Sequence, residues 1–216
     1  MSIRKVNFVP EEYYHIYNRG NSKREIFHNQ GDHNRFLQLL YLSNSETSLR
    51  SNRIKMPYSV ERDGRLVSIG AYCLMPNHFH LLIKQLEKGD ISKFMHKLLT
   101  AYSMYYNIKH KRIGSLFEGK FRSEHIDNDR YLKYIFSYIH LNPVKLINSK
   151  WKEEGIVDIK KTIDFLEHYQ FSSYLDYLQK RRPEEAILDK KSFPNYFQTK
   201  IKFKKEIFDW LKFIPE

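Results

Sequence analysis

Leu66-Val67-Ser68-Ile69-Gly70-Ala71-Tyr72-Cys73-Leu74-Met75-Pro76-Asn77-His78-Phe79-His80-Leu81-Leu82-Ile83-Lys84 is the stretch on which the fold turns. Two apolar runs, Leu66 to Leu74 and Phe79 to Lys84, are rich in β-branched and aromatic residues and read as strands. Only Met75-Pro76-Asn77 separates them clearly, too short for any crossover, so the pair is an antiparallel hairpin. Side chains alternate between the two faces of a strand, so His78 and His80 share one face roughly 7 Å apart, while Phe79 and Leu81 point the other way into a core. Two neutral imidazoles on one rigid face are the beginning of a divalent-metal site. The same spacing also arises on ordinary exposed strand faces, so a third ligand and a reactive group have to come from elsewhere.

Working upstream, Glu12 to Asn18 (EYYHIYN) reads as a strand closed by the turn signal Asn18-Arg19-Gly20-Asn21. Asp32 to Ser45 carries Phe36, Leu37, Leu39, Leu40 and Leu42 and reads as a helix capped by Asp32. Ser45 to Arg65, with Pro57 and Asp63-Gly64, reads as a polar loop with room for a short hairpin. Downstream, Asp90 is the expected cap of a long helix. Its apolar stripe is Ile91, Phe94, Met95, Leu98, Leu99, Tyr102, Tyr105 and Tyr106. Gly114 to Ile126 reads as a loop and a last strand, and Asp127 to Leu141 as a second strong helix stopped by Pro143. The order β-α-β-β-α-β predicts an α+β sandwich, an antiparallel sheet with helices packed on one face. The sequence changes character near Val144. The expected division is a core over residues 1–148 and a helical C-terminal extension, 149–216, docked on it.

The second helix offers what the histidine pair lacks. Tyr138 and Asn142 are four residues apart and share one helix face, and Tyr131 and Tyr134 continue that stripe. If the Asn142 amide oxygen completes a metal shell, Tyr138 lies one turn from whatever phosphate the metal holds. By pattern alone Tyr131 and Tyr134 are better read as the buried face of an amphipathic helix.

Bulk properties narrow the partner. The 216 residues hold 37 Lys and Arg against 25 acids, a net charge of +12, which favours a polyanion. Sixteen Tyr and fifteen Phe among the basic residues suit unpaired bases, which stack on flat rings, although a cationic protein with a tyrosine-rich core explains the composition equally well. No run reaches the roughly 20 apolar residues of a membrane-spanning helix, and the first residues lack the apolar segment of a secretory signal. With the single cysteine, Cys73, these features point to a cytoplasmic protein. Lys109, Lys111, Arg112, Lys120 and Arg122, just before the second helix, are a candidate DNA track beside the plainer reading as a solvated basic face. Arg19 either touches DNA or shapes its turn. Phe117 and Tyr14 are candidates for base stacking or core, and Cys73 for packing.

Three ordered segments carry a resemblance: Tyr14-His15-Ile16-Tyr17-Asn18-Arg19-Gly20, Ala71-Tyr72-Cys73-Leu74-Met75-Pro76-Asn77-His78-Phe79-His80-Leu81-Leu82, and Tyr138-Ile139-His140-Leu141-Asn142-Pro143-Val144. Leu116 to Phe121 and Phe171 to Tyr174 add to it. Together they resemble the REP-associated tyrosine transposases, a branch of the HUH single-strand endonucleases, from about Glu12 to Leu178. The resemblance implies a ferredoxin-like core, Mg²⁺ or Mn²⁺ held by His78, His80 and Asn142, and Tyr138 as nucleophile. It implies a strand transferase acting on single-stranded DNA beside palindromes that fold into hairpins, and leaves monomer and homodimer both open. Imidazoles also suit zinc, but an amide ligand with open positions for phosphate and water fits Mg²⁺ or Mn²⁺ better. Two other readings stand beside this one: a domesticated protein that binds DNA hairpins without cutting, and a metal-dependent hydrolase of another phosphoester, which has no need of the tyrosine.

Overall fold

The computed structural model describes residues 7–47 and 54–212. Four strands, β1 (Tyr13–Arg19), β2 (Val67–Met75), β3 (His78–Gln85) and β4 (Arg122–Ile126), form one antiparallel sheet in the order β2-β3-β1-β4. The hairpin is β2-β3, with Met75 opposite His78 and Leu74 opposite Phe79. β1 lies against β3 and β4, pairing Tyr17 with both His80 and Arg122, and His15 with Leu82 and Glu124. The expected fold class, α+β with a ferredoxin-like antiparallel sheet, is the one observed.

Helices cover both faces of the sheet rather than the single face expected. Helices α1 (Gln30–Leu42) and α2 (Asp90–Lys109) bury Phe36, Leu37, Leu40, Phe94, Leu98 and Tyr102 against Tyr14, Ile16, Phe79, Leu81 and Ile83. On the other face α3 (Asp129–Leu141) sets Leu132, Ile135, Phe136 and Ile139 on Ala71, Cys73, Leu82 and Ile126. β2 is therefore buried along its whole length. Its nearly continuous apolar run is the pattern of a strand covered on both sides. A bulge between Ile69 and Ala71 shifts the alternation, so Ile69, Tyr72 and Leu74 face α1 and α2 while Ala71 and Cys73 face α3. Gly70 occupies the bulge, where a Cβ would meet the ring of Phe193 at 2.8 Å.

Three local expectations shift. Asn29, not Asp32, caps α1, its Oδ1 accepting from the Asp32 N–H at 3.1 Å. Gly89, with φ +92°, precedes α2, and the Asp90 carboxylate instead accepts from the Glu87 N–H. In the stretch from Ser45 to Arg65 the described residues hold a short 3₁₀ turn, Pro57–Ser59, and no strand; residues 48–53 lie outside the described part. Tyr14 and Phe117 are core, and Cys73 is fully buried.

After α3 come the short helices α4 (Trp151–Glu154), α5 (Ile159–His168) and α6 (Tyr174–Tyr177), then α7 (Lys200–Lys212). They enclose a third apolar cluster with Leu141, Val144, Trp151, Leu166, Tyr174, Phe203 and Ile207. The segment Phe171–Ser173 runs along the free edge of β2: Leu74 N–H donates to Phe171 O, and Ser173 N–H to Tyr72 O, both at 2.9 Å. An edge strand left bare would template pairing with another chain, and this segment closes it.

Candidate active site

The register of the sheet builds one polar patch on the α3 face. Alternation directs Tyr13, His15, Tyr17 and Arg19 of β1, His78 and His80 of β3, and Arg122 and Glu124 of β4 to that side. α3 crosses above it, and its Asn128 cap and Pro143 stop place Tyr138 one turn from the helix end. The Tyr138 ring stands edge-on to His80 and His15, with centroids at 5.5 and 5.8 Å. The structure thus brings the phenol of α3 onto the imidazoles of β3. Tyr131 and Tyr134 extend the same stripe and pack at its apolar margin.

Both imidazoles of the pair are held neutral. Burial, reinforced by the nearby charges of Lys145 and Arg19, pushes His78 down to about 4. Burial, with His15 and His78 beside it, pushes His80 well below the ordinary range. His78 Nδ1 lies 2.5 Å from Asn77 Oδ1, and Asn77 Nδ2 donates to Lys23 O at 3.2 Å. The second bond fixes which way the Asn77 amide faces. Nδ1 of His78 is therefore the donor and its Nε2 keeps a free lone pair. His80 Nδ1 is likewise engaged, by His15 Nε2 at 2.9 Å.

Asn142 ends α3 still in helical conformation, and its Nδ2 donates back to Tyr138 O at 2.9 Å. Its Oδ1 is buried without a hydrogen-bond partner. A buried acceptor left unpaired is costly, and few such atoms persist in folded proteins. No cluster of three His, Cys, Asp or Glu side chains suited to a metal occurs among the described residues. His78 and His80 line one cavity, whereas Asn142 lies outside that lining and is hydrogen-bonded to Tyr138. By chemistry, two imidazoles and an amide oxygen are a donor set that fits a divalent cation with open positions.

A cavity of about 310 Å³ opens beside the pair, lined by Tyr17, Arg19, His78, His80, Arg122 and Tyr138 together with Asn18, Lys23, Asn77, Glu118 and Lys145. Of the expected DNA contacts, Arg19 and Arg122 reach this cavity. Arg19 is also paired with Glu118. Lys109, Lys111, Arg112 and Lys120 do not line it. Lys109 in particular spends its three donors on Asp32, Tyr105 and Asn29 at 2.6, 3.0 and 3.2 Å, tying α2 to α1. Lys23 and Lys145, unremarked in the sequence, take their place. Tyr17 lines the cavity too, while His15 and Glu124 line a second cavity that shares Tyr17, His80 and Tyr138 with the first; the period-two pattern of β1 and β4 would have placed all three on the histidine face.

The sheet face thus carries a histidine pair beneath a helix-borne tyrosine, with a basic cavity beside them. The family model described as "Transposase IS200 like" matches residues 8–142, and the chain belongs to that family. It is thereby a transposase-type, DNA-acting protein. Among solved structures it is similar to a REP-associated tyrosine transposase bound to a REP hairpin. That match has a TM-score of 0.52 and 14% identity over 85% of this chain and 90% of that one, a likeness of fold. No curated protein sequence matches the chain. No helix among the described residues is long and apolar enough to cross a membrane.

Proposed function

We propose that the protein cleaves and rejoins single-stranded DNA at hairpin-flanked sites through a covalent bond to Tyr138. The observation that carries this reading is the Tyr138 ring lying against His80, with a basic cavity opening beside both. The fold neighbour is a tyrosine transposase holding a DNA hairpin, which supports a hairpin as the structural context of the target.

His78, His80 and the unpaired Asn142 oxygen would hold Mg²⁺ or Mn²⁺, which when bound withdraws charge from the scissile phosphate and orients it. The protein's own groups do the rest. Arg19, Lys23, Arg122 and Lys145 hold the strand by its phosphates. Tyr138 Oη forms a bond to phosphorus as the bond to the 3′-oxygen breaks, and the phenol's proton ends on the released 3′-hydroxyl. The 5′-phosphotyrosine keeps the bond energy, so a second 3′-hydroxyl can reseal the strand without ATP. Burial raises the Tyr138 pKa, opposed by its contact with Asn142. The phenol of the free protein is therefore protonated at neutral pH.

The test is a denaturing gel of protein incubated with Mn²⁺ and oligonucleotides carrying the palindrome beside its own gene. The native chain is expected to give a covalent adduct, and Tyr138→Phe none while still retarding DNA on a native gel. An adduct surviving in Tyr138→Phe removes the tyrosine from its role. Hairpin binding that needs no metal and never yields an adduct would identify a non-cleaving binder.

A further inference from the structure

His78 has its tautomer set by an amide whose direction is known, but His80 does not. Its Nδ1 faces another imidazole, and two histidines 2.9 Å apart can share a proton either way round. The direction has to come from the far side of His15. There, His15 Nδ1 is buried and lacks a hydrogen-bond partner, and the polar group facing it is Glu124 Oε2 at 3.6 Å. This is a small side-chain movement short of a hydrogen bond. His15 and Glu124 sit directly opposite each other on β1 and β4. Glu124 is held in place by the Tyr17 hydroxyl at 2.9 Å and the Tyr131 hydroxyl at 3.1 Å. Both hydroxyls donate, so Glu124 stands as an ionised acceptor. Its carboxyl is pulled down to about 2 by His15 beside it and by those hydroxyls, against the opposing effect of partial burial.

We infer that Glu124 and His15 are positioning residues that hold His80 with its proton on Nδ1 and its Nε2 lone pair turned toward the cation. An ionised carboxylate can only accept, so His15 must offer it Nδ1–H. A neutral imidazole has one N–H, so His15 Nε2 is then an acceptor and His80 Nδ1 must donate to it. The chain Glu124, His15, His80 sets the second ligand as Asn77 sets the first. Both histidines then present Nε2 from one strand face. Carboxylate partners behind a ligating histidine fix its ring and tautomer in this way. The inference rests on the reading of His80 as a ligand, and its test separates the two.

Glu124 is exposed at the surface, so Glu124→Gln keeps the fold; His15→Phe is the stronger change, with circular dichroism as its folding check. Long-range nitrogen NMR of the metal-free protein near pH 8, above the ordinary imidazole range, reads the His80 tautomer directly. The native chain is expected to show a proton-free Nε2. Glu124→Gln, whose amide can accept or donate, is expected to show a mixture. Mn²⁺ titration by calorimetry should show roughly 10–100-fold weaker binding in His15→Phe and a smaller loss in Glu124→Gln. An unchanged single tautomer in Glu124→Gln, with Mn²⁺ affinity within about twofold in both variants, overturns the relay. If the native chain and His78→Ala bind Mn²⁺ alike, the metal site itself fails, and the tautomer measurement still decides the role of Glu124.

Discussion

Asp32 is the most exacting residue of the α1/α2 layer. Its side chain is wholly buried, yet it accepts from Lys109, the Tyr105 hydroxyl and the His28 N–H at 2.6, 3.0 and 3.0 Å. Burial works to raise its pKa, but those bonds outweigh it and hold the carboxyl below the ordinary value. A depressed carboxyl stabilises the fold at every pH above the unfolded value and loses that contribution as pH falls through the folded one. Acidification below about pH 4 is therefore expected to remove part of the stability. Asp32→Asn, which strands the Lys109 ammonium, is expected to cost about 3–5 kcal/mol at neutral pH and to flatten the acid limb. Urea melts at neutral and acid pH check both. The sequence marks Asp32 only as a helix cap and Lys109 only as a candidate DNA contact or part of a solvated basic face. Their pairing spans 77 positions along the chain, and no local pattern reports it. His78, His80, Tyr138 and Asn142 were legible because strand and helix periodicity puts each pair on one face. His15 and Glu124 were less so, since their value depends on which strands are neighbours.

At the scale of elements, the proposed mechanism requires α3 to be held still, because Tyr138 lies on it and Asn142 at its end. Its lower face packs on the sheet, and its C-terminal end is gripped from the extension. His140 Nε2 meets Ser173 Oγ at 2.8 Å, and Ser173 Oγ accepts in turn from the Tyr72 N–H at 3.0 Å. Lys133 pairs with Glu206 of α7 at 2.8 Å, and Tyr134 packs on Trp210 at 5.2 Å. The described part of the extension, residues 149–212, acts in this reading as a clamp across α3 and the β2 edge. A chain ending at residue 148 would expose Leu141, Val144 and the unpaired edge of β2. It is expected to aggregate, with no cooperative thermal transition by calorimetry. The milder variant Phe203→Ala empties the centre of the third cluster and is expected to cost about 3–5 kcal/mol. The hairpin, α2 and α3 were each readable from periodicity and stop signals. The clamp was not, because its bonds join β2 to distant residues, as from Tyr72 to Ser173, 101 positions away. The second covered face did leave a trace, in the unbroken apolar run of β2.

Charge belongs to the molecule as a whole, and its arrangement matters more than its sum. The chain carries +12, yet its cations are not equally placed to meet a polyanion. Arg19, Lys23, Arg122 and Lys145 ring the cavity beside Tyr138, where Glu118, paired to Arg19, is the acid in the lining. Lys109, by contrast, sits in the opposite layer with its donors committed to Asp32, Asn29 and Tyr105. Binding to single-stranded DNA releases condensed counterions, so the logarithm of affinity falls with the logarithm of salt by about 0.7 per phosphate neutralised. A cation that touches a phosphate contributes to that slope, and one locked in an internal ion pair does not. Lys145→Ala is therefore expected to lower affinity at low salt and reduce the slope by about 0.7. Lys109→Ala is expected to reduce thermal stability while leaving the slope as in the native chain. Fluorescence anisotropy of a labelled hairpin oligonucleotide across a salt series reads both. Equal slopes in Lys145→Ala and the native chain would move the DNA path off the cavity rim. A reduced slope in folded Lys109→Ala would return it to the end of α2, where the linear order of basic residues first suggested it.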